Sequence, residues 1–464
     1  MVSVKSLVAL AAFSVTQVQG IDLDVTSTDS IKSAAGTIAK DLVGLYNQSQ
    51  TPGNPIGVLS PPYYWWESGA MFDTLIQYWR LTGDSQYNKL VTQGLAYQRG
   101  PNDDFMPLNQ TKSMGNDDQS IWALAAMSAV ETRLVEDQNV SWADLAQATF
   151  DEQVVRWDEK TCNGGLRWQI FTFNNGYSYK NTITNGNFFQ LAARLAVSKN
   201  NDTYSEWATK AWNWTKAVGF IDEDFNVFDG ADVSKNCSAI NKVQFSENAG
   251  TFIAGAAYMY NYTNGDTQWK TALDGLLNKT ISSFFPSGIA TETACETKNS
   301  CNIDQRAFKG VLGKWLVDTI AVAPYTSDLI TKQLTSSAQA AAKTCGDNGC
   351  GLDWSGNAKN SSTGVGEQID ALNYVQGLLH SQALSSTTQN SSGATTTGSG
   401  GSTSTSASAS ASVTGNAAVG MVAGHSALSF SILGALTCSA GKYFIQLTLI
   451  FRTNFPLLVV ILES

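Results

Sequence analysis

The sequence predicts an all-α fold, an (α/α)6 toroid of six helical hairpins and twelve helices, and three observations lead there. Apolar residues recur three and four apart in 31–46, 66–81, 118–135, 186–197, 246–260, 306–322 and 366–379, the spacing that lines one face of an α-helix. Polar or small steps lead into an aromatic at Thr82-Gly83-Asp84-Ser85-Gln86-Tyr87, Asn201-Asp202-Thr203-Tyr204 and Asn264-Gly265-Asp266-Thr267-Gln268-Trp269. There Asp or Asn caps a new helix and the aromatic anchors its first turn. The helices preceding such turns start near residues 66, 117, 185, 247, 305 and 367, about one helical hairpin apart. No capping repeat is visible at either end, which favours closure into a ring over an open solenoid.

Along the chain, residues 1–20 carry Lys5, an apolar run from Leu7 to Val15 and a Val18-Gln19-Gly20 ending, the layout of a secretory signal peptide. Residues 21–384 are expected to form one (α/α)6 domain, the candidate catalytic domain. Its ring-forming helices are rich in small residues, such as Ala123, Ala125, Ala126 and Ala129, then Gly250, Gly255, Ala256 and Ala257. That composition suits helices packed on both sides. Residues 385–414 are Ser-, Thr- and Gly-rich, with too little to bury to offset ordering entropy, and read as an O-glycosylated stalk. Residues 415–464 read as an anchor signal or membrane tether, with Gly415-Asn416-Ala417-Ala418 as the small-residue site and apolar sequence from Val419 to Ala440. The segment from Gly441 exceeds what such a signal needs. Its apolar stretches 443–451 and 455–462 are broken by Arg452 and Pro456 and are short for a bilayer span.

Seven cysteines suit an oxidising compartment. Proximity along the chain pairs Cys295 with Cys301 and Cys345 with Cys350, leaving Cys162 for Cys237 and Cys438 in the tail; six cysteines allow about fifteen pairings. Ten Asn-X-Ser/Thr sequons, among them Asn47, Asn109, Asn201, Asn213 and Asn261, point to a glycosylated surface. The net charge of −10 argues against nucleic acid as a partner and suits a neutral substrate.

With only His380 and His425 present, Ser–His, Cys–His and HExxH chemistry is excluded. No phosphate-binding glycine loop appears, and no metal or cofactor is expected. Carboxylates are left for proton transfer, which in a secreted, aromatic-rich helical shell points to a glycosidase. The leading candidates are Asp117 and Asp118, with Asn116 as helix cap. The first turn of a helix favours a carboxylate, and two adjacent carboxyls disfavour double ionisation, so one pKa should rise. By spacing alone the pair reads first as ordinary capping. Pro61-Pro62-Tyr63-Tyr64-Trp65-Trp66-Glu67 and Gly164-Gly165-Leu166-Arg167-Trp168 add aromatics suited to sugar faces.

The stretches GNDDQSIWALA (115–125), GGLRW (164–168), YKNTITNGNFFQLAARL (179–195), QFSENAGTFIAGAAYMYNYTNGD (244–266) and DQRAFKGVLGKWL (304–316) resemble glycoside hydrolase family 76. They are most similar to its fungal, glycosylphosphatidylinositol-anchored mannan endo-1,6-α-mannosidases. The resemblance implies a retaining endo-α-1,6-mannosidase or transglycosidase of (α/α)6 fold, with Asp117 as nucleophile and Asp118 as general acid/base. It implies α-1,6-mannan or the mannose core of a GPI anchor as substrate, wall glucan as a possible acceptor, a monomer, and a cell-surface, GPI-anchored location. Trp168, Asn185 and Arg306 are the first expected substrate-binding residues, followed by Arg167, Lys180, Asn181, Glu247 and Lys309. A non-catalytic mannan-binding wall protein on the same fold is the competing reading.

Overall fold

The computed structural model describes residues 20–136, 140–356 and 362–381. The expected signal peptide (save Gly20), stalk, anchor segment and Cys438 lie outside the described residues, as does all of a second unit, 396–464. Among the described residues no helix is long and apolar enough to cross a membrane.

The described residues form twelve α-helices. They are α1 Thr28–Ser49, α2 Trp65–Thr82, α3 Asn88–Tyr97, α4 Asn116–Thr132, α5 Trp142–Arg156, α6 Thr182–Lys199, α7 Asp202–Val218, α8 Ser246–Tyr262, α9 Thr267–Phe284, α10 Phe308–Val322, α11 Ser327–Ala342 and α12 Val365–Gly377. The even-numbered helices make the inner ring: each packs on the next, and α12 returns to α2. The odd-numbered helices pack outside it, and α1 covers α12. The toroid is thus closed, as the lack of a capping repeat at either end suggests. Three short strands, β1 Tyr179–Asn181, β2 Gly230–Asp232 and β3 Ile240–Asn241, form an antiparallel sheet in the order β1-β2-β3.

Inner and outer helices differ for a packing reason. Outer α7 presents one buried stripe, whereas inner α4 buries every residue from Gln119 to Ala129. Burial on both faces requires small residues where helices cross. A Cβ on Gly310 would lie 2.5 Å from the Asp370 Cα of α12, and one on Gly250 would lie 2.9 Å from the Trp315 ring of α10. The middle of the ring is also charged. Lys314 bonds Asp318 at 2.6 Å, Asp73 at 3.0 Å and Ser128 at 2.9 Å, and Arg194 pairs with Glu131 at 2.9 Å. Buried charges paired in this way cost several kcal/mol when one partner is removed, roughly 3–5 kcal/mol.

Of the capping turns read from sequence, Asn201 accepts from the Thr203 N–H at 3.0 Å and Asp266 from Gln268 at 2.7 Å. Asp84 differs. It accepts the Gln86 N–H at 3.0 Å and the Tyr78 hydroxyl at 2.7 Å, but α3 starts only at Asn88, so Asp84 closes a turn ahead of the helix. The structure also moves the start of α10 to Phe308, because Asp304–Arg306 is a separate 3-10 turn. Disulfides join Cys162 to Cys237, Cys295 to Cys301 and Cys345 to Cys350, the pairing that proximity suggests.

The close crossing of α10 and α12 makes a prediction. Gly310→Ala is expected to lower unfolding free energy by about 1–3 kcal/mol, because its methyl meets backbone that cannot yield. Gly44→Ala on α1, where a Cβ meets nothing within 4 Å, should be neutral or stabilising by about 0.5–1 kcal/mol. Denaturant titration of both variants checks this; equal effects would contradict the packing account.

Candidate active site

The N-terminal ends of inner helices α2, α4, α6, α8 and α10 converge on a cleft of about 790 Å³. Its walls include Tyr63, Tyr64, Trp65 and Trp66 at the entry to α2, Phe245 before α8 and Phe308 at the start of α10. Asp117, Asp118, Asp229, Glu247 and Asp304 all line it. Of these, Asp117, Asp118, Glu247 and Asp304 stand at or near the starts of inner helices and face one space.

The Asp pair is held by backbone. The cap of α4 is Gly115, not the expected Asn116, which is the first helical residue. Gly115 donates its N–H to Asp118 Oδ2 at 2.6 Å, and the Asp118 N–H donates to Asp117 Oδ1 at 3.0 Å. A side chain at 115 would press on the Asp117 carboxylate and displace it. Asn116 fixes this turn to the neighbouring loop: its N–H donates to the Trp168 carbonyl at 2.8 Å and its Nδ2 to the Arg167 carbonyl at 2.9 Å. From the other side, Arg156 Nη1 donates to Asn116 Oδ1 at 2.8 Å.

The electrostatics follow from crowding. Burial pushes Asp117 well above the carboxylate range, and the charge of Asp118 adds to it. Burial likewise pushes Asp118 up to about 7, against the stabilising Gly115 N–H. Glu247 is also well above its usual value, through burial first and then Asp117 and Asp304. Asp304 is raised by burial although Trp66 Nε1 donates to it at 2.9 Å. Glu67, which caps α2 by accepting the Tyr64 N–H at 2.6 Å, is raised to about 8 by burial, Asp304 and Glu367. The cluster therefore keeps protons that isolated carboxyls would lose.

The structure divides the sequence-expected residues. Asp117, Asp118, Trp168, Asn181 and Glu247 line the cleft. Lys180, Asn185, Arg167 and Lys309 do not, and each has another engagement. Lys180 donates to the carbonyls of Asp158, Thr161 and Gly164 at 2.9, 2.8 and 2.6 Å, tying down the 164–168 loop. Asn185 clamps Leu166 through both its N–H and its carbonyl, at 2.8 and 3.0 Å. Arg167 pairs with Asp158 at 2.8 Å and lies over the Tyr177 ring. Although burial pushes Asp158 up, the Thr161 hydroxyl, Lys180 and Arg167 hold it down at about 2. Lys309 is buried against Glu296 and the Leu352 carbonyl. Arg306 is also outside the cleft lining, directed to the Cys301 carbonyl at 3.4 Å and toward Glu367 at 3.8 Å.

Sequence reasoning missed Asp229, Asn248 and Asp304 as cleft residues. Asp304 was reachable, because it stands at the entry of an inner helix like Asp117. Asp229 was not: it reaches the rim through the β1–β2 pairing, where it accepts the Tyr179 hydroxyl at 2.7 Å.

The sequence profile of glycosyl hydrolase family 76 matches residues 30–390. The chain belongs to glycosyl hydrolase family 76. It is 38% identical over 428 residues to mannan endo-1,6-α-mannosidase DFG5 of Saccharomyces cerevisiae, covering 90% of this chain and 93% of that protein. It is similar to the crystal structure of Dfg5 from Chaetomium thermophilum in complex with glucosamine, at 42% identity and TM-score 0.74, covering 77% of this chain and 92% of that one. The GH76A α-1,6-mannanase of Salegentibacter sp. HEL1_6 is 19% identical with TM-score 0.61, covers 75% of this chain and 98% of its own, and shares the fold. This family 76 chain is accordingly a glycoside hydrolase with a carboxylate-lined, aromatic-walled cleft.

The raised carboxyls set a direction for stability. In the folded protein Asp118 and Glu67 titrate near 7 and 8, and Glu292, buried outside the cleft where it accepts the Ser246 N–H at 3.0 Å, near 7, against about 4 in an unfolded chain. The folded protein then binds protons more tightly, so this stability is fully present below about pH 4 and is lost as pH rises through the folded values. Melting temperature is expected to fall between pH 5 and pH 8, less steeply in Glu67→Gln. A melting temperature that rises over that interval would contradict the assignment.

Proposed function

We propose that this family 76 chain is a retaining endo-α-1,6-mannosidase or transglycosidase in which Asp117 is the nucleophile and Asp118 the general acid/base. The observation that carries the reading is the consecutive carboxylate pair, anchored by backbone at the first turn of α4 and facing the cleft. The 38%-identical relative, a mannan endo-1,6-α-mannosidase, supports the linkage.

In the first step Asp118 protonates the departing glycosidic oxygen while Asp117 bonds to the anomeric carbon. In the second, Asp118 takes a proton from the acceptor hydroxyl, which displaces Asp117 and restores the original anomeric configuration. Water as acceptor gives hydrolysis; a glycan hydroxyl gives transfer. In the free protein burial raises both carboxyls, and the charge of Asp118 adds to the rise at Asp117. Positive charge developing at the anomeric carbon favours the ionised form of the carboxyl beside it. Trp168 and the aromatics of the α2 entry suit the C–H faces of sugar rings. Asn248, whose buried amide has no hydrogen-bond partner in the protein, and the unpartnered Asn181 Oδ1 suit sugar hydroxyls.

The biological setting belongs to the same proposal. The chain is exported by residues 1–20 and held at the cell surface by an anchor in 415–464. There it acts on α-1,6-mannan or the mannose core of GPI anchors, with wall glucan as an acceptor. Three disulfides support an oxidising compartment. So does exposure of the sequon residues Asn47, Asn109, Asn201, Asn213, Asn236, Asn261 and Asn278.

The 21–384 fragment, incubated with an α-1,6-mannooligosaccharide with and without a glucan acceptor, tests the reading. Asp117→Asn and Asp118→Asn are each expected to lose about a thousandfold in turnover. Full activity in either variant would sink the site assignment.

A further inference from the structure

We infer that Asn109 carries an N-linked glycan, and that its first sugars lie in a second groove and close one end of the active-site cleft. The inference rests on the secretory reading of the chain, not on the roles of Asp117 and Asp118. It begins with a groove of about 790 Å³ beside the cleft, a size typical of ligand sites, which run roughly 300–1,000 Å³. Tyr97, Pro101 and Leu108 form its apolar surface, and Asn54, Pro55 and Asn109 line both this groove and the cleft. Asn109 is therefore at the junction of the two.

The local backbone presents it for modification. The Gln110 N–H donates to the Pro107 carbonyl at 2.9 Å, which makes 107–110 a turn with Leu108 and Asn109 at its tip. Asn109-Gln110-Thr111 is a complete sequon, and exposed turns are where such acceptors are modified. In the step, the Asn109 amide nitrogen bonds to the anomeric carbon of a lipid-diphosphate-linked oligosaccharide. The sugar–phosphate bond breaks, the lipid diphosphate departs, and the amide loses one proton.

The groove also fits this occupant. Leu108 is 76% exposed and Tyr97 57% exposed, and a sugar attached at the adjacent residue packs its C–H faces on such surface. Among the described sequons, Asn109 alone lines the cleft; Asn47, Asn213 and Asn278 lie on outer helices α1, α7 and α9. A glycan seated there bars a long polymer from running out of the cleft past Asn54 and Pro55, while a short chain or a chain end still enters.

The test compares full-length secreted protein with Thr111→Ala, which removes the sequon, and Thr111→Ser, which keeps both sequon and hydroxyl. Glycopeptide mass spectrometry is expected to find Asn109 occupied in the parent and in Thr111→Ser. Hydroxyl-radical footprinting should find Tyr97 and Leu108 oxidised severalfold more in Thr111→Ala. The ratio of activity on polymeric α-1,6-mannan to activity on a trisaccharide should rise severalfold in that variant alone. Bare Asn109 with Asn47 and Asn278 occupied would overturn the inference. Bare asparagines at all three would overturn it together with the secretory reading. An occupied Asn109 with unchanged footprint and ratio would overturn the groove and cleft-closing role.

Discussion

The rest of the structure depends on one constraint: acidic side chains are gathered where the N-termini of the inner helices meet. Two unit charges ~4 Å apart at an effective dielectric of ~20 repel by about 4 kcal/mol. A helix N-terminus returns about 0.3–1 kcal/mol to a nearby carboxylate. Repulsion and burial win, so protons stay on the cluster, and Asp117, Asp118, Glu67 and Glu247 are all held above the ordinary carboxylate range. A shared proton on adjacent carboxyls is what a two-carboxylate mechanism needs at its start.

That cluster is affordable only on a rigid frame. Glycines at the crossings bring α8, α10 and α12 close enough to leave no room for a methyl group. Below the cleft, Lys314, Arg80 and Arg194 pair with Asp73, Asp318 and Glu131. The 164–168 loop is fastened twice, by Lys180 and by Asn185, and its carbonyls hold Asn116 and so the turn bearing the pair.

The ring was legible in the sequence because it rests on periodicity: apolar spacing gave the helices and hairpin length gave their number. The Asp pair was legible for a different reason, since histidine's scarcity left carboxylates and the GNDDQSIWALA stretch carried the family resemblance. What spacing could not give was side-chain destination. Lys180, Asn185 and Lys309 sit in family-like stretches beside inner-helix starts, as cleft residues do, yet they satisfy buried carbonyls or a buried carboxylate. A buried polar clamp and a sugar ligand have the same sequence signature. Asp229 depended on strand pairing distant in the chain, which no local pattern encodes.

The central claim is that Asp117 bonds to the sugar while Asp118 moves the proton. The most direct measurement is to inactivate the protein with a fluorinated α-mannosyl fluoride, digest it, and locate the added mass by peptide fragmentation. The account predicts a single mannosyl adduct on Asp117, absent from Asp117→Asn. An adduct on Asp118, or no adduct together with inverted product configuration, would contradict it.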